Sequence, residues 1–248
     1  MHRIAPILAL SLVSMAASAN AGVLQQARFM AMNPDVTRLV SATATHALGS
    51  FQIIGERIVL ENGNLTASVE KIVSDDVKIQ TLKSQTTYTL NDDFFRDPVK
   101  AIVESFLKAS DTTIARAEIK AHLSDENRAN AAAPAQIASL DPRLIPIAAQ
   151  LAETFMVDVI LRDVKLPVQN KAFTMTAKVL VFDLKAQGTT AYDPATKTLV
   201  ATVNSVKMGG IPVGLDLSFL VMGRFVGSFD FISLQKPNIL INLGAFLP

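Results

Sequence analysis

The chain has no cysteine and no tryptophan among its 248 residues, and its only tyrosines are Tyr88 and Tyr192. Without cysteine there can be no disulfide, no thiol catalysis and no cysteine-ligated zinc. A chain of this length can bury a large core and needs no disulfide to fold. Charge is scarce too: 18% of residues are charged, 23 of them basic and 22 acidic. That balance argues against nucleic acid as a partner and gives no net attraction to anionic membranes. The nucleophile elbow, the phosphate-binding loop and the dinucleotide fingerprint are all missing. His46 and His122 have no second ligand at metal spacing, and both are read as structural or solvated. The acid pairs Asp75-Asp76 and Asp92-Asp93 are read as turn residues. The expectation is therefore a protein without catalytic residues, metal or cofactor.

What the sequence does have begins at its first residues. Met1-His2-Arg3 is a short cationic start, followed by an apolar run from Ile4 to Ala17 and an A-x-A site at Ala19-Asn20-Ala21. This order predicts a secretory signal peptide over 1–21, cleaved near Ala21. The apolar run is too short for the roughly 20 residues that span a bilayer. The expected product is a mature α+β domain over 22–248, periplasmic or secreted. Removing 1–21 takes away one arginine and no acid, so the mature chain is close to neutral.

Three Asx-Pro pairs, Asn33-Pro34, Asp97-Pro98 and Asp141-Pro142, place a capping side chain ahead of a proline. They predict amphipathic helices over 34–48, 98–108 and 142–152. Strands are predicted over 51–60, 65–73 and 77–90. Further strands are read from alternation in Phe155–Leu161, Phe173–Val181, Leu199–Val203, Val213–Val221 and Ile239–Leu243. Turns are expected at Glu61-Asn62-Gly63, Ser74-Asp75-Asp76, Tyr192-Asp193-Pro194 and Gly209-Gly210, with Gly188 also at a strand end. The apolar set changes phase near Phe182 and again near Val206. Such changes mark a bulge or a strand passing between cores, and they point to a curved sheet. The polar, alanine-rich stretch 124–139 reads as a linker between halves 22–123 and 140–248. The fold class expected is α+β: a long, curved, mostly antiparallel sheet wrapped on amphipathic helices.

The segment VDVILRDVKLPV follows the helix predicted over 142–152. After it come KAFTMTAKVLVFDLKAQGTTAYDPATKTLVATVNSVKMGGIPVG and ISLQKPNILINLGAFLP. With the opening VSATATHALGSFQIIGERIVLENGNLTASVEKI, this pattern resembles the tubular lipid-binding (TULIP) superfamily, especially its small bacterial envelope members. The resemblance implies a long curved sheet on a helix that holds lipid in an apolar groove. The stretch 124–139 and the helix over 98–108 depart from a minimal version.

The alternating runs supply the candidate lining. It comprises Phe155, Val157, Val159, Leu161, Phe173, Met175, Ala177, Val179, Val213, Leu215, Leu217, Phe219, Ile239 and Ile241. Their opposite faces carry Asp158, Arg162, Thr174, Thr176, Lys178, Asp216 and Ser218, so one face is wet and the other dry. The function expected is binding or transport of lipid or another apolar small molecule in the cell envelope, with transient membrane contact. The alternative is a non-enzymatic scaffold or assembly factor that binds envelope proteins. An outer-membrane β-barrel is disfavoured by the lack of aromatic girdle residues and by the three predicted helices.

Overall fold

The alternating segments build one sheet. The computed structural model describes residues 21–33, 35–48, 50–120, 159–215 and 231–245. The signal peptide apart from Ala21, the linker over 124–139, the helix over 142–152 and residues 216–221 of the Val213 run lie outside the described residues. Among the described residues thirteen strands form an antiparallel sheet in which β3 to β10 follow one another in chain order. They are β3 (Phe51–Glu61), β4 (Asn64–Val73), β5 (Val77–Thr87), β6 (Ala109–Ile119), β7 (Val159–Gln169), β8 (Ala172–Val179), β9 (Phe182–Asp193) and β10 (Thr198–Met208). β1 (Arg38–Val40) and β2 (Ala44–Leu48) both pair with β3 at one edge. Beyond β10 lie β13 (Asn238–Asn242) and then β12 (Ile232–Gln235), and the short β11 (Ile211–Val213) also pairs with β10. β6 and β7 pair over their whole length, so the residues before and after 121–158 share one sheet.

The sheet is long and unclosed: no ladder joins β1 or β2 to β12 among the described residues. Nevertheless Phe51 of β3 and Phe231, just before β12, meet edge to face with ring centroids 6.0 Å apart. The two strands are nine steps apart in the sheet order. In a flat sheet that separation would be roughly 40 Å at about 4.8 Å per step. The sheet must therefore curl until its edges approach each other. Its bending has a local cause. On β3 the buried set runs Phe51, Ile53 and then Glu56, Ile58, Leu60. The same phase change falls between Ile79 and Leu82 on β5, Ile114 and Ala117 on β6, and Leu161 and Val164 on β7. The facing residues Gln80, Arg116 and Arg162 put the last three changes side by side. Backbone φ turns positive at Gly55 (69°), Thr81 (54°) and Asp163 (50°). Aligned kinks of this kind bend neighbouring strands along one line.

Two phase changes were predicted, and they have different origins. The one near Val206 is a bulge between Val203 and Ser205 on β10. The one near Phe182 is a hairpin: β8 ends at Val179, Leu180 and Val181 form the turn, and β9 starts at Phe182. Val181, expected on the dry face, is 87% exposed at that tip. Gly188 is also misplaced by the sequence reading, since it lies within β9 opposite Phe173. A Cβ there would overlap the Thr202 carbonyl oxygen and lie 2.6 Å from the Phe173 ring. Glycine leaves room for that ring beside the neighbouring strand.

Among the described residues the helices are α1 (Ala21–Met32), α2 (Asp92–Arg96) and α3 (Pro98–Lys108), with a final 3-10 turn at Leu243–Ala245. The helix predicted over 34–48 is corrected to β1 and β2. Asn33, read as a helix start, ends a helix instead: its side-chain amide donates to the Phe29 carbonyl at 2.7 Å and its backbone N–H to that of Met30. Downstream, Val36, Thr37, Val40, Thr43 and Thr45 are β-branched and suit an edge strand better than a helix. The helix predicted over 98–108 is present. Asp97 caps it, its carboxylate accepting the Lys100 N–H at 3.0 Å. Its apolar stripe buries Ile102, Val103, Phe106 and Leu107, and the helix lies against β5, β6, β7 and β9.

Candidate functional site

The dry faces converge on one continuous core. Leu161, Phe173, Met175, Ala177, Val179, Ile239 and Ile241 are all in it, each no more than 4% exposed. Val213 belongs to it at 6%, and Leu215 packs against it partly buried. Leu215 does not continue the predicted strand, since β11 stops at Val213. Val159 opens β7, while Phe155, Val157, Leu217 and Phe219 lie outside the described residues. The sequence reading missed that the N-terminal half lines the same interior, through Ile53, Leu60, Val69, Ile79 and Ile114. Their alternation was the available signal. Small hydroxyl residues interrupt the apolar face on β5 and β6, where α3 lies. Ser84 and Thr112 share a 2.8 Å hydrogen bond, and Ser110 is buried with no partner for its hydroxyl.

Among the described residues one carboxyl is buried. Glu56 follows the kink at Gly55, which turns it to the same face as Ile58 and Leu60. It is 6% exposed, and its Oε1 has no hydrogen-bond partner. His46 Nδ1 on the edge strand β2 lies 3.7 Å from Oε2, outside hydrogen-bonding range. Burial alone pushes the carboxyl up to about 7. The pair sits on β2 and β3, at one border of the unclosed sheet. His46 was read as structural or solvated, and its neighbour Glu56 carried no signal in the sequence, because the kink at Gly55 is what turns it inward.

A surface pocket of about 410 Å³ opens at the end of the sheet that holds α3, lined by Glu104, Leu107, Lys108, Asn170, Lys171 and Tyr192. The β7–β8 turn holds its floor: Asn170 and Lys171 donate their N–H groups to the Lys108 and Leu107 carbonyls, the last of α3. Burial pushes the Tyr192 hydroxyl upward, with further contributions from Asp97, Asp193 and Glu104. The Asp193 carboxylate is held low by the Thr196 hydroxyl and the Ala195 N–H, which fixes the β9–β10 turn.

The convex face is polar. Arg57, Lys83, Arg162, Lys165 and Lys178 all stand exposed on it, within strands. A cationic side chain facing lipid at mid-membrane costs roughly 2–4 kcal/mol, so this face is made for water. No group of three His, Asp or Glu side chains able to hold a metal occurs among the described residues. No protein-family model, no curated protein and no solved structure matches the chain.

Proposed function

We propose that the protein binds a lipid or another apolar molecule on the inner face of its curled sheet, as a carrier in the periplasm or an equivalent exported compartment. On this reading the sheet wraps the apolar ligand together with α3, in the manner of the TULIP-like arrangement. The observation that carries the reading is the approach of the two sides of the sheet, β3 beside its edge strands β1 and β2 on one side and the start of β12 on the other. An apolar inner face runs across the sheet, and the two sides come together at the Phe51–Phe231 ring contact, with no ladder joining β1 or β2 to β12 among the described residues. A buried acyl chain of about 16 methylenes contributes roughly 13 kcal/mol gross, reduced by association and ordering costs.

A second reading, a non-enzymatic scaffold with a solid core, is favoured by the near-zero exposure of Leu161, Met175, Ile239 and Ile241. Ala177→Phe separates the two. A carrier variant loses uptake of a fluorescent fatty acid while its melting temperature holds. In a solid core the same change overpacks the site, costs roughly 1–3 kcal/mol, and the wild type takes up no probe at all.

A further inference from the structure

We propose that the tip of the β8–β9 hairpin docks the protein on an anionic lipid surface. This does not rest on the carrier reading, since a scaffold could use the same surface. Leu180 and Val181 form the two-residue turn and are 56% and 87% exposed. Outside α1 they are the only large apolar side chains strongly exposed among the described residues. Folding gives no reason for them. Leu180 has φ +54°, and hairpin positions in that region favour asparagine, aspartate or glycine. Local chemistry asks for a small polar residue, and the chain supplies two aliphatics pointing into water.

The second observation is the charge behind the tip. Arg162, Lys165, Lys178, Lys185 and Lys207 stand exposed on the convex face of β7 to β10. They face one another across the strands: Arg162 opposite Lys178, and Lys185 opposite Lys207. Like charges placed directly opposite are unfavourable in a sheet. None of the five forms an ion pair among the described residues. Asp163 and Asp183 lie among them, the latter opposite Lys178, and Glu118, diagonal to Arg162, is paired with Arg116, so the five cations exceed the acids left near the tip. Lys178 and Lys185 lie three and four residues from Val181, roughly 10–13 Å at about 3.3 Å per residue. Flexible lysine stems shorten that distance toward the tip. When Leu180 and Val181 enter the acyl boundary, the ammonium groups come to the level of the phosphates. A soluble polyanion would satisfy the cations but offer nothing to the aliphatic tip, and a neutral surface the reverse. An anionic bilayer satisfies both. The chain's near-neutral total hides this, because the charge is segregated rather than absent.

The test is co-sedimentation of the purified protein with vesicles. Binding is expected to phosphatidylcholine vesicles containing 30% phosphatidylglycerol, a composition on the order of a moderately anionic leaflet. It should weaken with salt and be much lower on pure phosphatidylcholine. Lys185→Gln with Lys207→Gln should lower the affinity about 30-fold, at about tenfold per 1.4 kcal/mol. Leu180→Asn with Val181→Asn should abolish binding while keeping or raising the melting temperature, because asparagine suits the turn. Equal binding to both vesicle types would overturn the proposal, as would an asparagine variant that binds like the wild type. Binding to soluble polyphosphate that survives the asparagine changes would assign the cations to a different partner and overturn it as well. Fatty-acid uptake is measured separately, so loss of docking and loss of carrier activity are distinguishable.

Discussion

Glu56 is a carboxyl with aliphatic neighbours on its face of β3 and one unpartnered oxygen. Its ordinary value of 4.5 is raised to about 7 in the folded chain. Below pH 4.5 it is neutral in both folded and unfolded states and contributes no pH dependence. Between about 4.5 and 7 the unfolded chain releases the proton while the folded chain keeps it. Stability therefore falls with rising pH across that window, by at most about 3 kcal/mol. Glu56→Gln should remove the slope: urea midpoints equal to wild type near pH 4, and clearly higher than wild type at pH 8. Parallel pH profiles for the two proteins would show that Glu56 is solvated. Gly188 makes a prediction of the opposite kind. Gly188→Ala forces a methyl against the Thr202 carbonyl and the Phe173 ring, and should cost roughly 1–3 kcal/mol by overpacking. An alanine variant as stable as the wild type would mean that the two strands can part at no cost. Neither residue could be read in the sequence. The role of Gly188 depends on which residue faces it across the ladder, and that of Glu56 on a backbone kink.

At the scale of elements, α3 is the piece the sequence states best. Asp97-Pro98 opens it, its stripe of Ile102, Val103, Phe106 and Leu107 is buried, and the turn after β7 satisfies its last carbonyls. Asp97→Ala should lower stability by about 1 kcal/mol through loss of the cap, whereas Asp97→Asn should stay near wild type because asparagine caps as well. Equal losses in both would assign the effect to charge near Tyr192 instead of capping. The turns at Asn62-Gly63, Asp75-Asp76 and Gly209-Gly210 were legible because each has a residue type that the turn demands. The turns at Asn170-Lys171 and Leu180-Val181 were not. Lys171 and Leu180 take φ of 65° and 54° without being glycine or asparagine, and so they do not announce themselves. The same device, Asx-Pro, misled at Asn33: a capping side chain beside a proline fits a helix end as well as a helix start, and only tertiary pairing with β3 decides for strands downstream.

At the scale of the molecule, alternation made the antiparallel sheet and its dry face legible. The curling was legible only in part, because phase changes in single strands do not tell whether neighbouring kinks align. Strand order and the approach of the two edges depend on contacts as distant in sequence as Phe51 and Phe231, which no local pattern encodes. The central claim is that the interior these elements enclose receives an apolar molecule. Native mass spectrometry of the protein purified from its own cells tests it most directly. The account predicts a second species heavier by the mass of one lipid, released on activation or organic extraction and lost in the Ala177→Phe variant. A single unliganded mass, unchanged after incubation with fatty acids and phospholipids, would contradict it.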